Sequence, residues 1–101
     1  MPHHILVVDD EPDVESLIAQ RFRREIRQGI YMFAFASNGV EALAHVTQTM
    51  GTPPVDLVLT DINMPEMDGL TLISELKMLA HPPKTIVVSA YSDISNIRIA
   101  L

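Results

Sequence analysis

The chain contains no cysteine, which leaves it neither a disulfide framework nor a thiolate metal site and agrees with a cytoplasmic setting. It also lacks any long hydrophobic run. No stretch approaches the roughly 18 apolar residues of a membrane span. Met1-Pro2-His3-His4 leads into only four apolar residues before Asp9, short of the about 7–15 of a signal-peptide core. The expectation is a protein with no membrane association and no export signal. Basic residues are scarce: seven Lys and Arg stand against 13 Asp and Glu, for a net charge of -6. Phosphate backbones select for clustered cations, so direct binding of nucleic acid is not expected. Most of the basic residues fall between Arg21 and Arg27. Glu25 interrupts that run and apolar turns flank it, so it reads as a solvated helix face.

What is present is apolar content, 48% of 101 residues, which suits a single small domain over 1–101 with one core. Ile5-Leu6-Val7-Val8 is a short continuous apolar run ending in Asp9-Asp10, as expected of a parallel strand covered on both faces. Pro12 then fits the first turn of a helix, with acids at its positive end. Val14, Leu17, Ile18, Phe22 and Ile26 make one apolar stripe up to a stop near Gly29. The alternation repeats. A strand over 31–36 is followed by a Ser37-Asn38-Gly39 turn or cap and a helix from Val40 to roughly Thr49, with Val40, Leu43 and Ala44 at helical spacing. Gly51-Thr52-Pro53-Pro54 ends it. A strand over 55–60 is followed by a helix over 69–79 with Leu72, Ile73, Leu76 and Leu79 inward, then the stop His81-Pro82-Pro83. A fourth strand covers 85–88, and a further helix is expected from Ile94. Strands alternating with helices imply an α/β fold with a parallel sheet, right-handed crossovers and helices on both faces.

In such a sheet every strand ends at the same edge, so Asp9 and Asp10, Asp61 after the third strand and Ser89 after the fourth can meet there. Three carboxylates within a few ångströms repel by about 1 kcal/mol per pair at water's dielectric and about 4 kcal/mol at an effective value near 20. A cation relieves that repulsion. Oxygen-only ligation with no cysteine points to a hard ion, Mg²⁺ before Zn²⁺. A metal held by acids beside a further carboxylate suggests phosphoryl chemistry, with Asp61 as a nucleophile forming an aspartyl-phosphate and Ser89 donating a hydrogen bond to a phosphoryl oxygen. Taken singly, an Asp or a Ser after a strand is an ordinary cap or turn residue. The constellation carries the reading.

Three segments, Ile5-Leu6-Val7-Val8-Asp9-Asp10-Glu11, Asp56-Leu57-Val58-Leu59-Thr60-Asp61-Ile62-Asn63-Met64-Pro65-Glu66-Met67-Asp68-Gly69 and Ile86-Val87-Val88-Ser89-Ala90, resemble the receiver domain of two-component response regulators. The resemblance runs in order over essentially the whole chain. It implies a flavodoxin-like fold with strand order 2-1-3-4-5. It implies a phosphorelay module, not an enzyme, in which Asp61 accepts phosphate from a sensor histidine kinase or phosphotransfer protein and switches an output domain or target outside this chain. Mg²⁺ would be bound by Asp10, Asp61 and the backbone carbonyl of Asn63, with Asp9 acting through a metal-bound water. Ser89 would be the switch hydroxyl. Asn63 and Tyr91 resemble the positions that tune the loss of phosphate. Pro65 and Gly69 are read as loop geometry, and Met64 and Met67 as loop packing.

A complete receiver domain continues into a fifth strand, which ends in a Lys that pairs with the phosphoryl group, and a fifth helix. Both are absent from this sequence, and the two lysines present, Lys77 and Lys84, are placed away from the strands' carboxyl ends. The fourth strand and the first helix then lack a neighbour. The isolated chain is accordingly expected to form a homodimer, swap elements through the exposed edge, or be marginally stable. Two other functions compete. Haloacid-dehalogenase-type phosphatases also form aspartyl-phosphates with Mg²⁺, but they want a second Asp two residues on, where Asn63 stands. A receiver-like interaction module could keep the fold without phosphorylation.

Overall fold

The computed structural model describes residues 2–48, 54–61 and 67–88. Within them β1 (His3–Val8) is followed by α1 (Asp13–Arg21), α2 (Arg23–Arg27), β2 (Tyr31–Ala36) and α3 (Gly39–Gln48), then by β3 (Leu57–Asp61), α4 (Gly69–Lys77) and β4 (Lys84–Val88). The strands form one parallel sheet in the order β2-β1-β3-β4. This is the flavodoxin-like arrangement implied by the resemblance, as far as the described strands reach. The helix expected from Ile94 lies outside the described residues, as does the turn at 51–53.

The sheet's two faces each carry a core because side chains alternate along a strand. Ile5, Val7, Leu57, Leu59 and Val88 face Val14, Ile18 and Phe22 of the first helical segment. Leu6, Val8, Ala36 and Val58 face the other way, onto Ala42 of α3 and Leu72 and Leu76 of α4. The nearly unbroken apolar runs of β1 and β3 are what a strand needs when both faces are covered.

Several boundaries differ from expectation for identifiable reasons. The first helix is not continuous: at Phe22 the backbone leaves helical geometry, with φ -112° and ψ 24°. The Phe22 ring is buried against Tyr31 and Phe33, with ring centroids 5.8 and 5.3 Å away. Beyond the break the apolar stripe loses its phase, and Ile26 is 41% exposed, not inward. Gly29 then ends α2 with a φ of 72°. Its N–H donates to Ile26 and that of Ile30 to Glu25, at 3.1 and 2.8 Å, the paired bonds of a Schellman ending.

In α3 the inward stripe is Gly39, Ala42, Leu43 and Val46, not the one beginning at Val40, which is 49% exposed. Asn38 caps that helix. Its side-chain oxygen accepts from the Glu41 N–H at 2.8 Å, and its amide donates back to the Glu41 carboxylate at 3.4 Å. The β3 strand begins two residues later than expected, and Asp56 just before it acts as a clasp. Its carboxylate accepts the His4 N–H at 2.9 Å, and its own N–H donates to the His4 carbonyl at 2.8 Å. Further along the chain, Gly69 is buried in the first turn of α4 and Asp68 caps that helix by accepting the Thr71 N–H at 2.8 Å. Among the described residues the positive φ belongs to Gly29, so Gly69 does not adopt the left-handed backbone.

Candidate functional site

Strand register assembles the site. Val8 of β1 pairs with Thr60 of β3. Continuing that register by one residue sets Asp9 opposite Asp61, and strand alternation gives both the same face. Asp9 is held at the end of β1 by its N–H, which donates to the Ala36 carbonyl at 3.0 Å and so prolongs the β1–β2 ladder. Asp61 is the last residue of β3 and pairs with Val88 of β4.

The carboxylates of Asp9, Asp10 and Asp61 converge so that ligand oxygens from all three lie within 4.8 Å of one another. Asp9 and Asp61 are half-buried and Asp10 is exposed. The Asp9 carboxyl is pushed above the usual range. Burial is the main cause, and the negative charges of Asp61 and Asp10 add to it. The Glu11 N–H, donating to Asp9 Oδ1 at 2.9 Å, opposes the shift. Three oxygen donors, two of them partly withdrawn from water, fit a hard divalent cation such as Mg²⁺.

A cleft of about 200 Å³ opens beside the acids, between Asp9, Asp10 and Glu11, the start of α1 at Pro12 and Val14, and the end of β2 at Ala36 and Ser37. The amino end of α1 contributes favourable potential for an anion near the acids. A larger concavity, about 790 Å³, lies away from the acids along Arg21, Arg23, Arg24 and Arg27. It shares no residue with the carboxylate site and corresponds to the solvated basic face expected from the sequence.

Of the residues singled out by sequence, the structure brings together Asp9, Asp10 and Asp61. Ser89, Asn63 and Tyr91 lie outside the described residues, as do Met64 and Pro65. Met67 packs against the core beneath α3 and α4, as its reading as loop packing anticipated. Sequence reasoning passed over Thr60, which is fully buried next to Asp61 and whose hydroxyl donates to the Asp61 carbonyl at 3.0 Å. A polar residue inside an otherwise apolar strand was the available signal.

Comparison with known proteins gives one consistent match. The family model for the response regulator receiver domain matches residues 5–101. The chain is 33% identical over 98 residues to sporulation initiation phosphotransferase F of Bacillus subtilis, covering 97% of this chain and 73% of that protein. It is 32% identical over 95 residues to the transcriptional regulatory protein GlrR of Escherichia coli, where it covers 94% of this chain but spans only 20% of the relative's length. Among solved structures, the bacteriophytochrome response regulator AtBRR superposes with a TM-score of 0.72 at 23% identity, covering 88% of this chain and 67% of that one, a likeness of fold.

Proposed function

Because the chain belongs to the response regulator receiver domain family, we propose that it is a phosphoacceptor signalling module in which Asp61 takes a phosphoryl group from a phosphohistidine. Receiver domains are signalling modules rather than enzymes. The donor is a sensor histidine kinase or a phosphotransfer protein, and the recipient of the signal is an output domain or target protein. The observation that carries the reading is the meeting of Asp9, Asp10 and Asp61 at the carboxyl edge of the sheet, with Asp61 on the strand end.

A carboxylate oxygen of Asp61 attacks phosphorus in line with the P–N bond. That bond breaks with its electron pair on the imidazole nitrogen, and the ring leaves neutral when its other nitrogen already carries a proton. Asp10 and Asp61 would hold Mg²⁺, with the backbone carbonyl of Asn63, and with Asp9 through a water. When bound, the ion neutralises charge on the phosphoryl oxygens. Asp61 is kept in place by its pairing with Val88 and by the Thr60 hydroxyl on its carbonyl. Ser89, the residue after Val88, is the proposed switch hydroxyl, and Asn63 and Tyr91 are proposed to set how fast phosphate is lost.

The test is incubation with Mg²⁺ and acetyl phosphate, read by intact mass. One phosphoryl group is expected on the wild type and none on Asp61→Asn. An unchanged wild-type mass, or a label that survives the substitution, would overturn Asp61 as acceptor and leave an interaction module that works without phosphorylation.

A further inference from the structure

We propose that His4 and His45 form a second cation site, a two-imidazole site for a divalent transition ion such as Zn²⁺, at the end of the sheet away from the carboxylates. His4 lies near the start of β1 and His45 in the last turn of α3. The five residues from His4 to Asp9 amount to about 16 Å of strand, so the two sites are separate.

The two Nε2 atoms face each other at 3.4 Å, with the rings nearly perpendicular at 77°. That separation allows a long hydrogen bond between the two rings. It matches the edge of a tetrahedron built on Zn–N bonds of about 2.0–2.1 Å, which is about 3.3–3.4 Å. His4 is 6% exposed and held by the Asp56 clasp on its backbone, so its ring is presented by a fixed strand. His45 is half-buried, so its ring is reached by water, which would complete the shell.

The protonation state suits ligation as well. Burial, and then the neighbouring His4, hold His45 below the ordinary histidine range, and the neutral imidazole is the form that binds metal. His3 is not a third ligand. Adjacent strand residues point to opposite faces, and the His3 ring lies near Tyr31 and 3.7 Å from the Asp56 carboxylate. Donor chemistry sorts the ions: imidazole nitrogen favours Zn²⁺, whereas the carboxylates of Asp9, Asp10 and Asp61 favour Mg²⁺.

The experiment is calorimetric titration of the full chain with Zn²⁺ in excess Mg²⁺, near neutral pH, with imidazole resonances followed by NMR. One Zn²⁺ per chain is expected, with shifts at His4 and His45. His45→Gln, at a half-exposed helical position, should weaken binding at least as much as the roughly 10–100-fold that outer-shell changes cost, and His3→Gln should leave it unchanged. Zn²⁺ should raise the melting temperature of the wild type and not of His45→Gln. His4→Gln is the companion variant, but the result does not depend on its folding. Equal Zn²⁺ affinity in wild type and His45→Gln, shifts confined to the Asp61 region, or no binding in excess Mg²⁺ would each overturn the site.

Discussion

A methyl group added at Gly39 would meet Met67 at 2.7 Å from both Cβ and Cγ and at 2.8 Å from the backbone oxygen. Gly39 opens α3, and Met67 lies between Asp61 and α4, so the first turn of one helix is packed against the segment that follows the proposed acceptor. Gly39→Ala gains about 0.5–1 kcal/mol of helical preference and meets an overpacking penalty of about 1–3 kcal/mol. Because the contact includes backbone, the penalty should win. Urea denaturation is expected to show a net loss of about 1–2 kcal/mol, with slower labelling by acetyl phosphate as the Asp61 segment shifts.

Removing one of three crowded carboxylates should stabilise the metal-free protein. Asp61→Asn is expected to raise its melting temperature in EDTA, by a gain of no more than about 1 kcal/mol, since the site is partly open to solvent. The same variant should lose most of the melting-temperature increase that Mg²⁺ gives the wild type. An Asp61→Asn protein that melts lower than wild type in EDTA would contradict the repulsion described for Asp9.

Stability should depend on His45 at mildly acidic pH. Its folded-state pKa is depressed below the unfolded value near 6.5, so between the two values the unfolded chain binds more protons. The contribution of neutral His45 is therefore fully present above about pH 6.5 and is lost as pH falls below that value. The prediction is a steeper loss of stability with acidification in wild type than in His45→Gln, measured by denaturant midpoints in the presence of EDTA.

Phe22 should be the costliest single truncation in the first helical segment. Its ring is buried where the helix breaks and anchors Tyr31 and Phe33 of an edge strand. Phe22→Ala is expected to cost about 3–5 kcal/mol, enough to unfold a marginal domain, whereas Phe22→Leu should retain a cooperative transition. Circular dichroism melts distinguish the two.

Asn38→Ala should cost about 1 kcal/mol through the lost cap on α3, and Asn38→Ser should recover most of it. Thermal melts of the two variants provide the comparison. Equal stability of the two would show that the Glu41 N–H finds another acceptor.

The strand and helix order was legible because the strands are largely apolar runs and Pro, Asn, Asp or Gly marks a boundary of each helical segment between them. The phase of α3 was not legible. Val40, Leu43 and Ala44 satisfy helical spacing as well as Gly39, Ala42, Leu43 and Val46 do, and a spacing rule has no term for the close approach of Met67 that selects a glycine inward. The break at Phe22 was also hidden, because a continuous heptad-like stripe does not record that one ring is drawn under Tyr31 and Phe33.

For the site, the sequence by itself determined which acids follow which strands, and hence that Asp9, Asp10 and Asp61 share an edge once the sheet is parallel. Only the tertiary structure decided that Asp9 stands opposite Asp61, because that depends on register, and a slip of one residue would turn one of them to the other face. It also decided the approach of His4 to His45, 41 residues apart, which no local pattern announces. Local chemistry is written in order along the chain, whereas distances between remote side chains are set by how the sheet and helices pack.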